Sequence, residues 1–447
     1  MSDVRSSRFA VHVRRVPSLR YHVLSALLAV ALALGLSGSR ASAATPEPAD
    51  STHAVSRVSA DSSSADSTIA SGAVPPRDVF DVVGGILGKP PAEGELTLLI
   101  PRRGLSITLL PAIGYNPSYG GYLGVSAAMG GWIGPPETTT LSAGSASITY
   151  STTKQLSVQF KSDFYTPDNK FALKGDWRYL DTSQPTYGLG PATVAEAEYP
   201  MTFVLYRFYQ MVYWHVPRSK VFIGSGFLFN RWDEVKEPDA VPGVETPYQA
   251  YSGGPVSRAT SSGISLGALM DTRDNPINAR KGAFWNVSFR TYSKALGSDD
   301  EWQSAWSDFR VYPHVGKGGR NTLAIWNFSW FTFGHAPYLD LPAIGWDTYG
   351  RGGRGYLQGR IRGLNQSYSE AEYRFGLRRD GLLGGVMFVN LMATTLPDAG
   401  NFGLVDPGFG AGLRLKFNKR TATNLAIDWA WDRFGTGHFF LGMQEAF

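Results

Sequence analysis

The sequence comprises 447 residues, of which 18% are charged and 13% aromatic, and it contains no cysteine. The lack of cysteine excludes disulfide frameworks, thiolate zinc sites and cysteine nucleophiles, and a mean hydropathy of −0.15 excludes a bundle of transmembrane helices. The formal net charge of +5 comes largely from the N-terminal segment, and because no basic cluster interleaved with aromatic residues follows it, nucleic-acid binding is not expected.

The N-terminal segment has the layout of a secretory signal peptide. A short apolar run from Val23 to Leu36 follows an arginine-rich leader and precedes the small residues Ala41-Ser42-Ala43. A retained membrane anchor is the alternative, but the run is shorter than the roughly 20 residues that span a bilayer. Residues 1–43 are therefore predicted to be a signal peptide that is cleaved after Ala43.

Residues 44–93 are predicted to form a flexible periplasmic linker. Residues 44–75 are mostly alanine, serine, threonine, aspartate, proline and valine, and they have too few large apolar side chains to bury. One short apolar patch, Val79 to Leu87, follows. This patch could be a small helix that touches or plugs a barrel mouth, or it could simply belong to the tether.

Beyond the linker, apolar and polar residues alternate with a period of two, which is the signature of β-strands. Near the end of the chain, Leu425, Ile427 and Trp429 share one face. Ala426 and Asp428 share the opposite face. An apolar ladder of this kind must meet either a protein core or lipid.

Residues 94–447 are predicted to form one transmembrane antiparallel β-barrel of about 16 strands. The strands start near residues 104, 119, 138, 154, 169, 200, 219, 261, 283, 303, 321, 367, 382, 407, 421 and 437. Tight turns and longer loops alternate between them, so we expect the tight turns at the periplasmic end and the longer loops at the extracellular end. Phe447 is predicted to end the final strand and to act as a C-terminal barrel signal.

Lipid rather than a protein core is predicted to cover the apolar faces. The opposite faces carry arginine, lysine, aspartate and glutamate, as a polar lumen would require. Aromatic residues such as Trp326 and Trp330 are expected at strand ends, where they would form interfacial girdles. A water-soluble β-sandwich or propeller is the alternative, which the signal peptide disfavours.

Several short stretches of the predicted barrel are characteristic of one family. They are Gly353-Arg354-Gly355-Tyr356, Gly359-Arg360-Ile361-Arg362, Glu370-Ala371-Glu372-Tyr373-Arg374-Phe375, Asp271-Thr272-Arg273-Asp274-Asn275-Pro276, Gly114-Tyr115-Asn116-Pro117 and Gly408-Phe409-Gly410. Together they resemble the bacterial surface antigen family, which contains the barrels of the BamA- and TamA-type assembly factors and of two-partner secretion transporters. The resemblance covers residues 100–447 and implies a weak seam between the first and last strands that opens laterally.

The resemblance also implies a role for Arg354, Gly355 and Tyr356, because this motif lies at the tip of the family's sixth extracellular loop, which folds back into the lumen. A guanidinium in a confined lumen needs acceptors in a planar arrangement. Strand alternation directs Glu372 and Asp428 inward, so we expect them to anchor Arg354 and to hold the loop as a plug. The alternative is an ordinary solvated loop arginine.

Two other residues are predicted to line the lumen beside this motif. Alternation directs Arg374 inward on the same strand as Glu372. Asn390 stands where the family typically has an aspartate that helps to bind the loop arginine. An asparagine accepts a hydrogen bond but carries no charge, so the contact is expected to be weaker or to depend on Glu372 instead.

The remaining motifs are interpreted as structural. Residues 263–267 match the nucleophile-elbow pattern of hydrolases, but they lie within a predicted strand with no helix after them. Asp271, Arg273 and Asp274 are predicted to form a periplasmic turn with internal salt bridges rather than a calcium loop, whose spacing they lack. The histidines are scattered, so no metal site, cofactor or enzymatic activity is expected.

The sequence therefore predicts a non-enzymatic outer-membrane barrel that aids the insertion or passage of proteins or lipids. A passive diffusion pore and a structural surface antigen are the alternatives. The expected partners are outer-membrane lipid, client proteins or lipids, and the barrel-assembly machinery that inserts this chain. The family's assembly members carry periplasmic POTRA domains, for which residues 44–93 are too short, so a barrel-only member is expected.

Overall fold

The computed structural model describes residues 75–88, 104–191, 198–315, 321–395, 402–419, 422–443, 445 and 447. The predicted signal peptide and most of the predicted linker lie outside the described residues. Two α-helices occur in the described ranges, α1 (Val79–Ile86) and α2 (Pro247–Ser252). No helix in these ranges has the length and apolar character of a transmembrane span.

The strands dominate the described part of the chain. They are β1 (Gly104–Asn116), β2 (Gly120–Trp132), β3 (Ser142–Ser151), β4 (Leu156–Tyr165), β5 (Phe171–Thr186), β6 (Tyr199–His215), β7 (Val221–Lys236), β8 (Ala259–Asp271), β9 (Ala283–Tyr292), β10 (Trp302–Val311), β11 (His314–Val315), β12 (Asn321–Gly334), β13 (Asn365–Gly376), β14 (Leu383–Thr395), β15 (Phe402–Asn418), β16 (Thr423–Trp431) and β17 (Gly437–Met443). The two-residue strand β11 continues β10 along their common neighbour β12, so the wall is sixteen strands wide.

These strands form one closed antiparallel barrel. Each pairs with its neighbours in the chain, and β1 also pairs with β17. The predicted architecture is thereby confirmed, and every predicted strand start lies within five residues of the observed one. Closure matters because an open sheet edge in hydrocarbon would leave backbone N–H and C=O groups without hydrogen-bond partners.

The two faces of the wall differ in polarity. Along β13 every second residue is buried, and the buried set includes Glu370 and Glu372. On the outer face, large apolar side chains such as Leu109 and Leu266 are 71% and 64% exposed. A surface with this much exposed apolar area is the reverse of a water-soluble domain, and it suits contact with hydrocarbon.

The expectation that Trp326 and Trp330 form an interfacial girdle is wrong. Both lie on the inward face of β12, where they are buried with Phe328 between them. Trp326 donates a hydrogen bond from Nε1 to Asp308 at 2.9 Å. Because β12 also carries apolar residues such as Ile325 on its outer face, the alternation of this strand does not reveal which face points inward.

The barrel has two distinct rims. β1 starts and β17 ends at one rim, which we call the proximal rim, and the opposite one is the distal rim. Tight turns such as 166–170 and 377–382 lie at the proximal rim, whereas the long connection 335–364 starts from the distal rim. The predicted alternation is not strict, because the distal connections 117–119 and 152–155 are also short.

Helix α1 packs against the proximal rim. Asp81 forms an ion pair with Lys419 at 2.8 Å, and the ring of Phe80 meets that of Phe417 edge-on at 5.3 Å. The backbone N–H of Arg77 donates to the carbonyl of Asp380 at 3.0 Å. Of the two sequence-based alternatives for this patch, the structure has the helix that touches the barrel mouth.

Removing the charge of Asp81 is expected to release α1 from the rim. Burial alone would raise the pKa of Asp81, but the hydrogen bond and the charge of Lys419 outweigh burial and hold the pKa below its ordinary value. A carboxylate whose pKa is lowered by docking stabilises the docked state at pH values above its ordinary pKa of about 3.9. This stabilisation is lost as the pH falls through the lowered pKa. The mobility of a spin label attached at Ile86→Cys measures docking. Because the natural chain has no cysteine, the label can attach only there.

We expect the label to become mobile in the parent protein only below about pH 4, whereas Asp81→Asn makes it mobile at pH 7. Lys294→Gln, which removes an exposed lysine at the distal rim, is the control. A label that is equally immobile in Asp81→Asn and in the parent at pH 7 would contradict docking through this ion pair.

Candidate functional site: an ion cluster in the barrel lumen

Strand β13 presents a row of polar side chains to the lumen. The row consists of Gln366, Tyr368, Glu370, Glu372 and Arg374, all of them buried. The side chains of both glutamates have no exposed area at all. The row forms because successive side chains of a strand point to opposite faces, so one face of β13 is entirely directed inward.

Further round the wall, β15 and β16 add Arg414 and Asp428 to the same region. Asp428 lies directly across from Gly412 in the ladder between these strands. A Cβ atom at Gly412 would lie 1.8 Å from Oδ1 of Asp428. The glycine therefore provides the space that the buried carboxylate occupies.

The connection between β12 and β13, residues 335–364, packs against inward-facing side chains of the wall, and we call it the interior segment. Trp346 donates from Nε1 to Oε1 of Gln184 on β5 at 3.0 Å. Asp340 accepts a hydrogen bond from Nε1 of Trp232 on β7 at 2.8 Å. These contacts attach the segment to β5 and β7.

The guanidinium of Arg354, in the interior segment, lies among three carboxylates. Nη1 donates to Asp428 at 3.1 Å, and Nη2 donates both to Glu372 at 2.5 Å and to Glu370. Its Cζ atom lies 3.5 Å from the ring centroid of Phe388, in the geometry of a cation–π contact. The structure thus brings together the two expected anchors and adds Glu370 as a third.

Two further arginines extend these contacts. Arg374 donates from Nε to Glu372 at 2.7 Å. Arg414 pairs with Asp428 at 2.5 Å and with Glu445 at 2.7 Å. We call the whole set the lumen ion cluster, and its members are Arg354, Arg374, Arg414, Glu370, Glu372, Asp428 and Glu445. A buried charge is strongly destabilising unless it is paired, and every charge of this set has a partner within it.

Sequence reasoning missed three members of the cluster as site residues, namely Glu370, Arg414 and Glu445. Glu370 could have been identified, because the alternation of β13 places it on the inward face. Arg414 carries a signal that could have identified it, because the alternation of β15 places it on the inward face. Glu445 carries no such signal, because it lies beyond the end of β17, where the period of two no longer applies.

The two residues after Arg354 fix the backbone of the motif. Gly355 has a φ of +105°, and a Cβ atom there would lie 2.7 Å from the carbonyl oxygen of Trp431. The adjacent Tyr356 donates its hydroxyl to the carbonyl of Pro407 at 2.6 Å. Glycine is required because a side chain would force the segment away from β16.

Asn390 contacts the arginine in a way that the sequence did not suggest. Its Nδ2 donates to the backbone carbonyl of Arg354 at 2.9 Å, and the residue is completely buried. The expected role was that of an acceptor for the guanidinium. An aspartate cannot make the observed contact, because an ionised carboxylate has no hydrogen to donate.

The prediction that Phe447 ends the final strand is wrong. β17 ends at Met443, and the ring of Phe447 is buried 5.2 Å from that of Trp326 in the lumen. The backbone oxygen of Phe447 accepts a hydrogen bond from Arg374 at 2.7 Å. Phe447 is directed inward because its ring packs against that of Trp326 and its backbone oxygen accepts from the guanidinium of Arg374.

The predicted turn motif lies apart from the cluster. Arg273 pairs with Asp271 at 2.7 Å, and Asp274 accepts hydrogen bonds from the backbone N–H groups of Arg280 and Lys281. Within the described residues, none of the three motif residues is hydrogen-bonded or ion-paired to the lumen ion cluster. Their contacts stabilise the connection between β8 and β9.

The chemistry of the cluster is that of attachment. Arginine stays protonated in proteins, so it does not act as a proton donor or acceptor at neutral pH, and its planar fork binds several carboxylates at once. No group of three histidine, aspartate or glutamate side chains in the described ranges has a metal-binding arrangement. The cluster joins the interior segment to β13 and β16, and through Asp428 to Arg414 of β15.

Comparisons with known proteins give structural but no sequence matches. No family model and no curated protein sequence matches the chain. The structure is similar to BamA from Haemophilus ducreyi lacking POTRA domains 1–3, with a TM-score of 0.48 and 16% identity over 77% of this chain and 70% of that one. It is also similar to CdiB from Acinetobacter baumannii, with a TM-score of 0.48 and 11% identity over 78% of this chain and 67% of that one. For CdiB from Escherichia coli the TM-score is 0.48 and the identity is 9%, over 77% of this chain and 63% of that one.

Arg354→Ala is expected to destabilise the folded barrel by about 3–5 kcal/mol, because it leaves three buried carboxylates without their shared cation. The measurement is thermal unfolding in detergent, which is monitored by the difference in gel mobility between folded and heat-unfolded protein. Proteolysis of the interior segment should accelerate in the same variant.

Arg258→Ala is the matched control for this prediction. Arg258 pairs with Asp233 on the exposed surface, and such pairs contribute about 1 kcal/mol or less. If the two variants lost the same stability, the attachment role of Arg354 would be refuted.

Asn390→Asp is expected to weaken the attachment, although aspartate is the residue that the resembling family typically has. The substitution removes the donor to the backbone of Arg354 and leaves a buried carbonyl without a partner, which costs about 1–3 kcal/mol. Thermal unfolding at pH 7 measures the loss. A more stable Asn390→Asp variant would mean that the added charge reaches the guanidinium of Arg354 instead.

Proposed function

We propose that this protein is an integral barrel of the bacterial outer membrane that helps proteins or lipids to insert into, or to pass across, that membrane. The observation that carries this proposal is the short seam between β1 and β17. In the proposal, the seam opens sideways into the bilayer, and the interior segment keeps the lumen plugged at the extracellular end.

The seam is much shorter than the other strand pairings of the wall. Within the described residues, a single pair, Tyr115 with Leu441, joins β1 to β17, whereas thirteen pairs join β1 to β2 and seven join β16 to β17. Strands that share few ladder hydrogen bonds separate at a lower free energy than fully paired ones. The freed edges can then pair with an incoming strand by β-augmentation.

The proposed location is supported by two independent features. The order of an arginine-rich leader, an apolar run and small residues at the N-terminus is that of a secretory signal. The outer face of the barrel is apolar over the length of the strands, as contact with hydrocarbon requires.

The proposed plug is supported by the contacts of Arg354. An assembly barrel that opens at its seam must not leak ions through its lumen, so its lumen has to stay filled. The interior segment occupies this position through buried ion pairs to β13 and β16.

The test is to lock the seam with a disulfide. Tyr115→Cys/Leu441→Cys joins the two strands at the position where described residues pair, and the absence of native cysteine prevents other disulfides. Facing residues of antiparallel strands lie at a distance that a disulfide can bridge. Purified protein in liposomes is given an unfolded outer-membrane barrel protein, and folding of that client into the membrane is followed by protease protection.

We expect oxidation of the seam pair to stop the acceleration of client folding and reduction to restore it. The matched control, Ile113→Cys/Leu123→Cys, joins β1 to β2 and should leave acceleration unchanged when oxidised. Equal activity of both oxidised proteins would exclude lateral opening. If Arg354→Ala raises ion conductance while no client folding is ever accelerated, the passive pore becomes the better account.

A further inference from the structure

The lumen contains a chamber on the side of the wall formed by β2, β3 and β4. The cavity has a volume of about 420 Å³, which is within the range of small-molecule sites. Its wall carries short hydroxyl side chains, namely Ser126, Ser145, Ser147, Thr149 and Ser157. We call this cavity the hydroxyl chamber, and it contrasts with the aromatic filling beside β12.

Lys161 on β4 lines the hydroxyl chamber and is only 8% exposed. Its ammonium lies 5.2 Å from the ring centroid of Tyr349 in the interior segment. Nζ makes no hydrogen bond and no ion pair with any residue in the described ranges. A buried ammonium without an anion is unfavourable, so its presence here points to a ligand.

The carboxylates near Lys161 are engaged elsewhere. Asp176 lies directly across from Lys161 in the ladder of β4 and β5, but its two oxygens bind Arg178 at 2.7 Å each. Asp347 of the interior segment accepts hydrogen bonds from the backbone N–H groups of Tyr349, Arg351 and Gly352. The residues that line the chamber carry net positive charge, because they include two carboxylates, Asp428 and Glu445, and five cations, Lys161, Arg178, Arg351, Arg354 and Arg414.

The hydroxyl groups beside Lys161 are available as donors. Ser145 is the partner of Lys161 across β3 and β4, and Ser147 is the next inward residue of β3. Neither hydroxyl makes a hydrogen bond to another described residue. Side chains that face each other across strands have Cβ atoms about 5 Å apart, so one ligand can reach the ammonium and both hydroxyls.

We propose that the hydroxyl chamber binds a phosphate group through Lys161, Ser145 and Ser147. Phosphate carries enough charge to neutralise the ammonium, and its several oxygens can accept from three separate donors at once. The chamber is larger than a phosphate, so the ligand is a phosphate ester with a polar body. Binding of phosphate by these three residues does not depend on the proposed function, and only the lipid route into the chamber follows the seam.

Two sources of the phosphate ester fit the position of the chamber. Its lining includes Ile113 of β1 and Leu441 of β17, so a lipid headgroup could enter from the bilayer along the seam. A soluble phosphate ester could enter from the aqueous rim. The experiment distinguishes these sources by using one probe of each kind.

The experiment is calorimetric titration of the full chain in a phosphate-free maltoside detergent. Glycerol 3-phosphate is the soluble probe and dioctanoyl phosphatidic acid is the lipid probe, with glycerol and dioctanoylglycerol as their phosphate-free counterparts. Lys161→Gln is the test variant, and Lys294→Gln, which removes an exposed lysine, is its control. The gel shift of unheated protein verifies that each variant is folded.

We expect at least one phosphate probe to bind and neither phosphate-free counterpart to bind. Lys161→Gln should weaken that binding by roughly thirtyfold or more, Lys161→Arg should retain most of it, and Lys294→Gln should leave it unchanged. Binding of the lipid probe alone identifies a headgroup site, whereas binding of both probes shows that the phosphate group is sufficient.

A second variant guards against misfolding of the first. Ser145→Ala/Ser147→Ala keeps the cation and removes two donors, and it should weaken binding by about tenfold. Lys161→Gln should also melt no lower than the parent, because it removes an unpaired buried charge. Absence of binding by both phosphate probes, or equal binding by Lys161→Gln and Lys294→Gln, would overturn the proposal.

Discussion

The structure depends on one constraint, which is that backbone N–H and C=O groups facing hydrocarbon must find their hydrogen-bond partners within the protein. Sixteen strand positions meet this requirement by closing a single antiparallel sheet. The requirement is met least well where β1 meets β17 through the pair of Tyr115 and Leu441. The same constraint that forces closure thus concentrates the weakness of the wall at one position, and this position carries the proposed function.

The period of two that directs apolar residues outward also directs charged ones into the lumen, where each must be paired. The lumen ion cluster solves this problem with three arginines and four carboxylates that share partners. Arg354 is the arginine supplied from outside the wall, so pairing the wall charges also attaches the interior segment. Arg374 and Arg414 similarly bind Phe447 and Glu445, beyond the end of β17. The end of the chain and the interior segment are therefore held by one connected network.

The lumen is filled unevenly. Beside β12, the aromatic rings of Trp326, Phe328 and Tyr368 pack together with Phe447. Beside β2 to β4 the inward side chains are short, and the hydroxyl chamber remains open with Lys161 in its wall. Packing stabilises the first region without a ligand. In the second region, the hydroxyls of Ser145 and Ser147 have no hydrogen-bond partner and Lys161 has no anionic partner among the described residues.

The sequence by itself determined the barrel, because a two-residue alternation over many segments has only one arrangement that suits lipid outside and charge inside. It also placed Glu372 and Asp428 inward, since alternation assigns a face to each residue of a regular strand. Only the tertiary structure decided the orientation of Trp326 on a strand with two apolar faces, the inward course of Phe447 and the donor role of Asn390. These features depend on residues far apart in the chain that meet in the lumen, and no local pattern encodes which of them will meet.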